Sequence, residues 1–373
     1  MSVTSSALCI ALVAVIGAGR PHAQDRPRAR DLGIAPGIGQ PGPVNGITDV
    51  EGVKVGHATI RDGGRIRTGV TAILPHGGNL FREKVAGAVF VGNAFGKLAG
   101  STQVEELGTI ESPIVLTNTL SVGVGIDAVV RWTLAQPGNE NVRSVNALVG
   151  ETNDGGLSDI RGLHVTREHV TAALDGARTG AIEEGAVGAG TGTIAFGWKG
   201  GIGTSSRRLD QKAGGWTVGV LVQTNYGGRL TIAGIPVWKH LTPARNQGEA
   251  PADGSCMIVV ATDAPLDARD LKRLAARAIY ALARTGSTYS NGSGDFAIAF
   301  STHASLRVTS ATAPQPRTVL PTDGVSGLFE AVMDATEEAV YNSLLRATDT
   351  SGNGRTVPAI PLEPLKSLLR GAR

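Results

Sequence analysis

The sequence predicts an α+β fold in which stacked β-sheets are covered by helices. Its 373 residues contain short strand-like runs that come in groups, whereas a doubly wound parallel sheet needs strands that alternate strictly with helices. Hydrophobic residues make up 41% of the chain and charged residues 18%, so the chain can bury a substantial core and lacks the composition of a disordered protein. We therefore expect one large folded domain.

The strands are predicted from β-branched or aliphatic runs that are bounded by Gly, Asp, Asn or Pro. They are Val53–Ile60, Gly69–Leu74, Gly87–Val91, Ile114–Thr117, Thr193–Trp198, Thr217–Thr224, Cys256–Ala261 and Phe296–Ser301. The chain contains 52 glycines, about twice the usual share, which indicates tight turns between short strands.

The clearest predicted helix is Ala268–Thr285, with Asp267 as its N-cap and Gly286 as its C-terminal stop. Its apolar residues recur at helical spacing, at Leu271, Leu274, Ala275, Ala278, Ile279 and Leu282. Further helices are predicted at Gly327–Ala347, Gly123–Ala135 and Arg167–Ala177.

The first 44 residues are predicted to lie outside the catalytic domain. An apolar run at positions 7–16, followed by small residues and an Arg-rich stretch, is typical of a secretory signal peptide, which we place at residues 1–23. No Lys or Arg precedes that run, although signal peptides normally carry an early positive charge. The alternatives are that the start codon is placed too late or that the run is a buried helix. Residues 24–44 would form an extended arm, and residues 45–373 a single catalytic domain. We expect a periplasmic or secreted protein.

Charge and motifs disfavour several classes of function. The net charge of +3 is spread along the chain, so we expect no nucleic-acid partner, and no later apolar run is long enough to predict a membrane contact after signal removal. The glycine-rich segments 188–192 and 200–205 lack the later Gly of a dinucleotide turn and the Lys of a P-loop. The histidines show no metal-ligand spacing, so we expect neither a metal nor a cofactor.

A polar segment from Asn246 to Gly254 runs directly into an apolar strand that begins with Ser255. This serine could simply start a strand. Alternatively, a Gly–Ser bond at a strand edge can undergo an N-to-O acyl shift, because glycine adopts strained backbone geometry without a Cβ clash. Hydrolysis would free the α-amine of Ser255. Such an amine has a pKa of about 7.7 to 8.0, so its neutral form can act as a base for the hydroxyl of the same residue. Cys256 points to the opposite face and is expected to be a core residue.

A second segment places Ser293 and Asp295 after a glycine turn, where another apolar strand begins. Their side chains point to the same side of an extended backbone, since side chains alternate with period two. The Asp295 carboxylate could therefore orient the Ser293 hydroxyl, which in turn would contact Ser255. Ser-Gly-Asp is also an ordinary turn sequence, so the spacing alone leaves both interpretations open.

The two segments, with Ser293 38 positions after Ser255, resemble those of the β-aminopeptidase and D-aminopeptidase family (L-aminopeptidase, D-amidase/D-esterase) of self-processing serine peptidases. The resemblance runs from about Asn45 to the C-terminal region. Further matching stretches are 45–57, 185–192, 199–207, 217–227 and 261–266.

This resemblance implies a four-layer αββα sandwich, similar to N-terminal-nucleophile hydrolases but differently connected. It also implies that one chain is cut between Gly254 and Ser255 into an α chain of about 24–254 and a β chain of 255–373. A homotetramer of such αβ units is the implied assembly.

Carried over by position, the resemblance implies that Ser255 is the nucleophile and that Ser293 and Asp295 assist it. Asn225 would donate to the oxyanion, and Glu151 would bind the free amino group of the substrate. Without the resemblance, Asn225 would be interpreted as a turn residue and Glu151 as a solvated loop acid. The chain departs from the family at Asp295, where the family carries Glu, which is one methylene longer.

These features predict an exported aminopeptidase that releases the N-terminal residue of short peptides, amides or esters, including β-amino acid peptides, through an acyl-enzyme on Ser255. One alternative is an acyltransferase of the ornithine acetyltransferase type, which uses a threonine nucleophile and normally stays in the cytosol. Another is a non-catalytic periplasmic binding protein, whose chain would remain in one piece. The serine and the signal peptide both disfavour the acyltransferase.

Overall fold

The computed structural model describes residues 26–243 and 254–371. The predicted signal peptide and the polar segment that precedes Gly254 lie outside the described residues. The strands are Lys54–Asp62 (β1), Ile66–Leu74 (β2), Val85–Ala94 (β3), Leu98–Ala99 (β4), Thr109–Ile110 (β5), Ile114–Asn118 (β6), Leu148–Thr152 (β7), Ile194–Ala195 (β8), Trp198–Lys199 (β9), Gly201–Arg208 (β10), Thr217–Asn225 (β11), Ser255–Thr262 (β12), Gly294–Ser301 (β13), Thr350–Gly352 (β14) and Arg355–Val357 (β15). The α-helices are Ser101–Leu107 (α1), Val122–Leu134 (α2), Arg167–Asp175 (α3), Ala268–Thr285 (α4), Ser326–Leu345 (α5) and Leu362–Gly371 (α6).

Two large sheets dominate the described part of the chain. One has the strand order β1-β2-β6-β7-β4, and the other has the order β10-β11-β12-β13-β3-β5. The neighbours β6–β7 and β12–β13 are parallel, whereas the other neighbours in both sheets are antiparallel. The remaining strands form the small sheets β8-β9 and β14-β15.

The side chains of β12 show how the layers stack. Met257 and Val259 lie in the core between the two sheets, whereas Ile258 and Val260 lie in the core that the same sheet shares with α4 and α5. Because β12 is buried on both faces, its sequence is a continuous apolar run instead of an alternating one. Burial of each aliphatic side chain contributes about 1.5 to 3 kcal/mol, so this strand is firmly anchored.

Helices α2 and α3 cover the outer face of the five-stranded sheet, where a third core contains Val70 and Val115 from the sheet and Val129 and Val170 from the helices. The layer order is therefore helix, sheet, sheet, helix, which confirms the predicted four-layer αββα sandwich. Among the residues that the structure describes, no helix has both the length and the apolar composition needed to cross a membrane.

The predicted elements with the strongest local signals are confirmed. Helix α4 coincides residue for residue with the prediction; Asp267 accepts a hydrogen bond from the Asp270 N–H at 3.0 Å, and Gly286 has the left-handed φ of 100°. The prediction of one strand at Thr193–Trp198 is wrong. Phe196 and Gly197 both have positive φ there and reverse the chain, so that β8 pairs with β9 as a hairpin.

Two strands that position the site, β7 and β10, were not predicted. In β10 the glycines permit close packing, because a Cβ at Gly203 would lie 2.0 Å from the Ala339 carbonyl oxygen of α5. The same strand buries Arg207, whose guanidinium pairs with Glu338 of α5 at 2.8 Å. The strand β10 is thus largely buried although it is rich in Gly, Ser and Arg, a composition that is not typical of buried strands.

The N-terminal segment from residue 26 packs along this same region. Arg28 pairs with Glu184 at 2.8 Å, and Arg30 pairs with Glu338 at 3.1 Å. Both carboxylates are almost fully buried, so these arginines supply countercharges that the interior requires. The boundaries given above for the arm and the catalytic domain stay predictions.

Candidate active site

A cavity of about 480 Å³ opens where β12 begins and β7 ends. It is lined by Ala94, Phe95, Gly96, Lys97, Thr119, Glu151, Asn153, Gly254, Ser255, Asn291 and Gly292. Three of the predicted site residues, Glu151, Gly254 and Ser255, therefore line one cavity, although Glu151 and Ser255 come from different sheets.

Close packing of the two sheets brings these residues together. A Cβ at Gly150 would lie 2.3 Å from the Cε atom of Met257, so β7 and β12 pack closely at this point. Glu151 follows Gly150 in β7, and Ser255 lies two residues before Met257 in β12. Ser255 and Met257 share a face of the strand, because side chains alternate with period two.

Ser255 is the first residue of β12 and pairs in register with Asn225, the last residue of β11. Its side chain is buried, and its Oγ accepts a hydrogen bond from the Gly294 N–H at 3.2 Å. The preceding residue must be glycine, because a Cβ at Gly254 would lie 1.8 Å from the Asn225 carbonyl oxygen and 2.6 Å from the Tyr226 Cα. The backbone at the predicted scission point is thus held tightly against β11.

The side-chain amide of Asn225 is oriented by the backbone. Its Oδ1 accepts a hydrogen bond from the Ile194 N–H at 2.9 Å, and the residue is only 7% exposed. With Oδ1 engaged in this way, the remaining hydrogen-bonding group of the side chain is the Nδ2 donor. This is the group that an oxyanion requires, although the role itself stays a prediction.

The predicted contact between Ser293 and Asp295 is present. The Ser293 hydroxyl donates to Asp295 Oδ2 at 2.8 Å, so the shorter acid does reach it. A β-bulge lies here, since the register of β13 against β3 shifts between Asp295 and Phe296. The extra residue of the bulge is Gly92 of β3, directly beside Asp295.

Asp295 itself is fully buried, which raises the pKa of its carboxyl to about 6 even though the Ser293 hydroxyl favours the charged form. In the parallel register Asp295 lies beside Cys256, on the strand face that points toward the helices. Among the described residues no hydrogen bond joins the Ser293 hydroxyl to Ser255, whose Oγ faces the backbone of Gly294 instead. How the pair assists the nucleophile therefore stays a prediction.

Glu151 is a buried strand residue, so its interpretation as a solvated loop acid is wrong. Its Oε1 accepts from the Lys97 N–H at 3.0 Å and lies 3.7 Å from Lys97 Nζ, while the Thr119 hydroxyl donates to Oε2. A carboxylate offers about four acceptor positions, so these two hydrogen bonds leave two for further N–H donors. The cavity beside it could therefore hold a ligand ammonium.

Sequence reasoning missed several residues that build this cavity. Lys97 and Thr119 approach Glu151 from loops that follow other strands, and no local pattern marks either. Asn93 donates through Nδ2 to the carbonyl oxygens of Ser290 and Ser293, at 2.7 Å each, and so fixes the turn before β13. Asn153 could have been found, because it lies two residues after Glu151 and shares its face of the chain.

The sequence model of peptidase family S58 matches residues 45–357, which include all of the residues discussed above for the cavity and the pair at 293 and 295. The chain belongs to peptidase family S58. The match covers both large sheets and helices α1 to α5, so the family's defining sequence and the four-layer fold occupy the same part of this peptidase.

Proteins similar to this S58 peptidase include the beta-peptidyl aminopeptidase BapA of Sphingosinicella microcystinivorans, which is 42% identical over 93% of each chain. Among solved structures, the PH0078 protein from Pyrococcus horikoshii OT3 is 46% identical, with a TM-score of 0.87 and coverage of 93% of this chain and 99% of that chain. The L-aminopeptidase D-Ala-esterase/amidase from Ochrobactrum anthropi, a prototype of the serine aminopeptidases with a variant Ntn hydrolase fold, is 39% identical, with a TM-score of 0.86 and coverage of 93% and 99%.

These likenesses confirm the family resemblance seen in the sequence. This S58 peptidase is a hydrolase of the serine aminopeptidase class, it acts on peptides, and its αββα sandwich is of the Ntn type.

Proposed function

We propose that Ser255 cuts this S58 peptidase between Gly254 and Ser255, and that the exposed Ser255 then releases the N-terminal residue of short peptides, amides or esters. The observation that carries the proposal is the shared cavity, in which Ser255 lies at the start of β12 and Glu151 at the end of β7. A nucleophile and a buried carboxylate in one cavity suit a substrate whose ammonium group lies close to its reacting carbonyl.

The scission would be an N-to-O acyl shift followed by hydrolysis. Ser255 Oγ attacks the Gly254 carbonyl carbon, the C–N bond breaks, and the hydroxyl proton passes to the Ser255 nitrogen, which becomes an α-amine. Water then cleaves the ester, which leaves a carboxylate on Gly254 and restores the hydroxyl. The tight approach of Gly254 to the β11 backbone supports this step, because it holds the two reacting residues in one arrangement.

In turnover, the neutral α-amine takes the proton of Ser255 Oγ as the oxygen attacks the substrate carbonyl. The Nδ2 group of Asn225 donates to the oxygen that becomes negative, a contribution typically worth about 2.7 to 4 kcal/mol. The resulting α-ammonium gives this proton to the leaving amine as the C–N bond breaks, which leaves an ester on Ser255 Oγ. Water then hydrolyses this acyl-enzyme, and the Ser255 hydroxyl is restored. Glu151 holds the substrate ammonium throughout, and the Ser293–Asp295 pair assists the nucleophile.

The proposed substrates include peptides that begin with a β-amino acid. The support is the relative that is named a beta-peptidyl aminopeptidase, at 42% identity, together with a cavity of about 480 Å³ that has room for the additional methylene. We also propose export to the periplasm or the medium, from the apolar run at 7–16, and a homotetramer of cut chains, from the family resemblance.

A chromogenic pair tests the substrate class. β-Alanine p-nitroanilide should be hydrolysed, whereas its N-acetyl derivative, which has no ammonium for Glu151, should be hydrolysed at least about a hundredfold more slowly. Equal rates for the two compounds would mean that the free amine is not recognised. If the enzyme hydrolysed neither β-alanine p-nitroanilide nor an L-amino acid anilide, the proposed substrate class would be contradicted.

Glu151→Gln is expected to lower kcat/KM for the free-amine substrate by about ten- to a hundredfold, mostly through KM, because it removes a charge-assisted hydrogen bond to the ammonium. Steady-state kinetics measure this. The matched control is Glu105→Gln, which removes an exposed carboxylate paired with Lys272 and should leave both constants unchanged. An unchanged KM in Glu151→Gln would exclude this residue as the ammonium site.

The pH dependence of kcat should reveal two groups. The α-amine of Ser255 must be neutral to act as a base, and it becomes protonated as the pH falls below its pKa of about 7.7 to 8.0. Asp295 has a pKa raised to about 6 by burial, so its carboxylate is present above that pH and is lost as the pH falls through it. We expect log kcat to fall with a slope of about one below pH 7.7 and about two below pH 6.

Asp295→Asn provides the check on this assignment. The variant should be slower at every pH, and its acid limb should keep a slope of about one down to pH 5, since only the α-amine still titrates. A slope of two that persists in the variant would assign the second proton to another group.

A further inference from the structure

Lys199 is fully buried at the end of β9. Its Nζ donates to the carbonyl oxygens of Gly190 at 2.9 Å, Thr193 at 2.8 Å and Gly200 at 2.7 Å. Burial lowers the pKa of this amine well below its usual range, yet the three carbonyls together accept the three N–H bonds that only the charged form possesses.

One of these contacts leads directly to Asn225. The Thr193 carbonyl and the Ile194 N–H belong to the same planar peptide group. Its oxygen accepts from Lys199 Nζ at 2.8 Å, and its N–H donates to Asn225 Oδ1 at 2.9 Å. A continuous hydrogen-bonded chain therefore runs from the buried amine, through one peptide group, to the side-chain amide.

We propose that Lys199 is a positioning residue for the oxyanion donor Asn225, acting through the peptide group between Thr193 and Ile194. Because that group is planar, fixing its oxygen also fixes its N–H, and with it the plane of the Asn225 amide. Hydrogen bonds in such a chain polarise one another, so a donor at the carbonyl strengthens the N–H and, in turn, the Nδ2–H of Asn225. The inference rests on the proposed role of Asn225 in catalysis.

The backbone of the β8–β9 hairpin is closed without this side chain, because the Gly200 N–H also donates to the Thr193 carbonyl, at 3.1 Å. The backbone of Lys199 already pairs with Ile194 across the hairpin, and its N–H donates to the Pro358 carbonyl at 2.8 Å. Burying an amine is costly, and an apolar side chain of similar shape often stabilises a core as well or better. A lysine at this position therefore indicates a role beyond packing.

Lys199→Met tests the hydrogen-bonded chain in the full-length protein, with Thr191→Val as the matched control. The control removes a buried hydroxyl that donates to the Gly188 carbonyl at 2.6 Å in the loop before β8, and it leaves Lys199, the peptide group between Thr193 and Ile194, and Asn225 in place. We expect Lys199→Met to lower kcat by about ten- to a hundredfold with KM changed less than about threefold, and Thr191→Val to change both by less than about threefold.

A second measurement, the affinity for an inhibitor, tests stabilisation of the oxyanion itself. An aminoalkyl boronic acid forms a tetrahedral adduct with the serine, so its affinity should fall in Lys199→Met by about the same factor as kcat/KM. The affinity of the released amino acid, which lacks that oxyanion, should stay the same. A role in packing alone would shift the two affinities together.

The proposal is overturned if Lys199→Met keeps the wild-type kcat, if Thr191→Val lowers kcat equally, or if the effect of Lys199→Met lies entirely in KM. Should Lys199→Met be insoluble, Lys199→Gln, which loses the charge but keeps a polar head, replaces it with the same expected and contrary results. If the chain of a folded variant is cut only slowly, its rate of chain cleavage, instead of its kcat, is compared with that of the wild type. A wild-type chain that is not cut and does not hydrolyse substrate would contradict the proposed function. That result differs from an active chain whose kcat does not depend on Lys199.

Discussion

Replacement of Ser255 by alanine is expected to lower the turnover of any substrate by at least about 10⁴-fold, since loss of a serine nucleophile costs about 10⁶ in kcat in comparable peptidases. Two causes combine here: the peptide bond that follows Gly254 stays intact, so no α-amine is freed, and no hydroxyl remains to form the acyl-enzyme. The release of p-nitroaniline from β-alanine p-nitroanilide, per mole of purified chain, measures the effect.

The matched control for this variant is Cys256→Ala, one residue along the same strand. Cys256 is fully buried in the core that faces the helices, and burial raises the pKa of its thiol well above the usual range, so it is no candidate nucleophile. The control should be cut and should retain turnover within a few-fold of wild type. Activity that survives in Ser255→Ala but disappears in Cys256→Ala would show that Ser255 is not the nucleophile.

Gly254→Ala is expected to slow chain cleavage by at least about a hundredfold, because near-attack geometry is sensitive to displacements of about 1 Å. The added Cβ would lie 1.8 Å from the Asn225 carbonyl oxygen and 2.6 Å from the Tyr226 Cα. Both are backbone atoms, so no side-chain rotation relieves the clash, and the start of β12 must move away from β11. The fraction of cut chain after timed incubation, read by denaturing electrophoresis, follows the effect.

Gly123→Ala serves as the control for the glycine variant. A Cβ at Gly123, in α2, meets no atom within 4 Å, and alanine favours a helix over glycine. That chain should be cut at the wild-type rate and be slightly more stable. Normal cleavage in Gly254→Ala would show that the tight packing against β11 has no part in the scission.

Elements with strong local periodicity could be predicted from the sequence, as α4 and β12 show. The spacing of apolar residues in α4 and its Asp267 and Gly286 boundaries are all local signals, and β12 is a continuous apolar run. In contrast, β7 has only five residues and ends in Glu and Thr, and β10 is rich in Gly, Ser and Arg. Their burial depends on packing against other layers, which no local pattern reveals.

The site was predictable only in part for the same reason. The contact between Ser293 and Asp295 follows from strand alternation, and the glycine before Ser255 is visible in the sequence. That Glu151 lies across the cavity from Ser255 depends on the close approach of Gly150 to Met257, which joins two sheets. The peptide group that links Lys199 to Asn225 is backbone, so no residue type encodes it.

The denatured intact mass of the purified wild-type chain tests the central claim most directly, with the Ser255→Ala chain as the uncut standard. We predict two species for the wild type, one with the mass of residues 255–373 and an N-terminus that reads Ser255-Cys256-Met257, and a single species for the variant. A wild-type chain that remains in one piece while it hydrolyses peptides would contradict self-cleavage and the role of the α-amine.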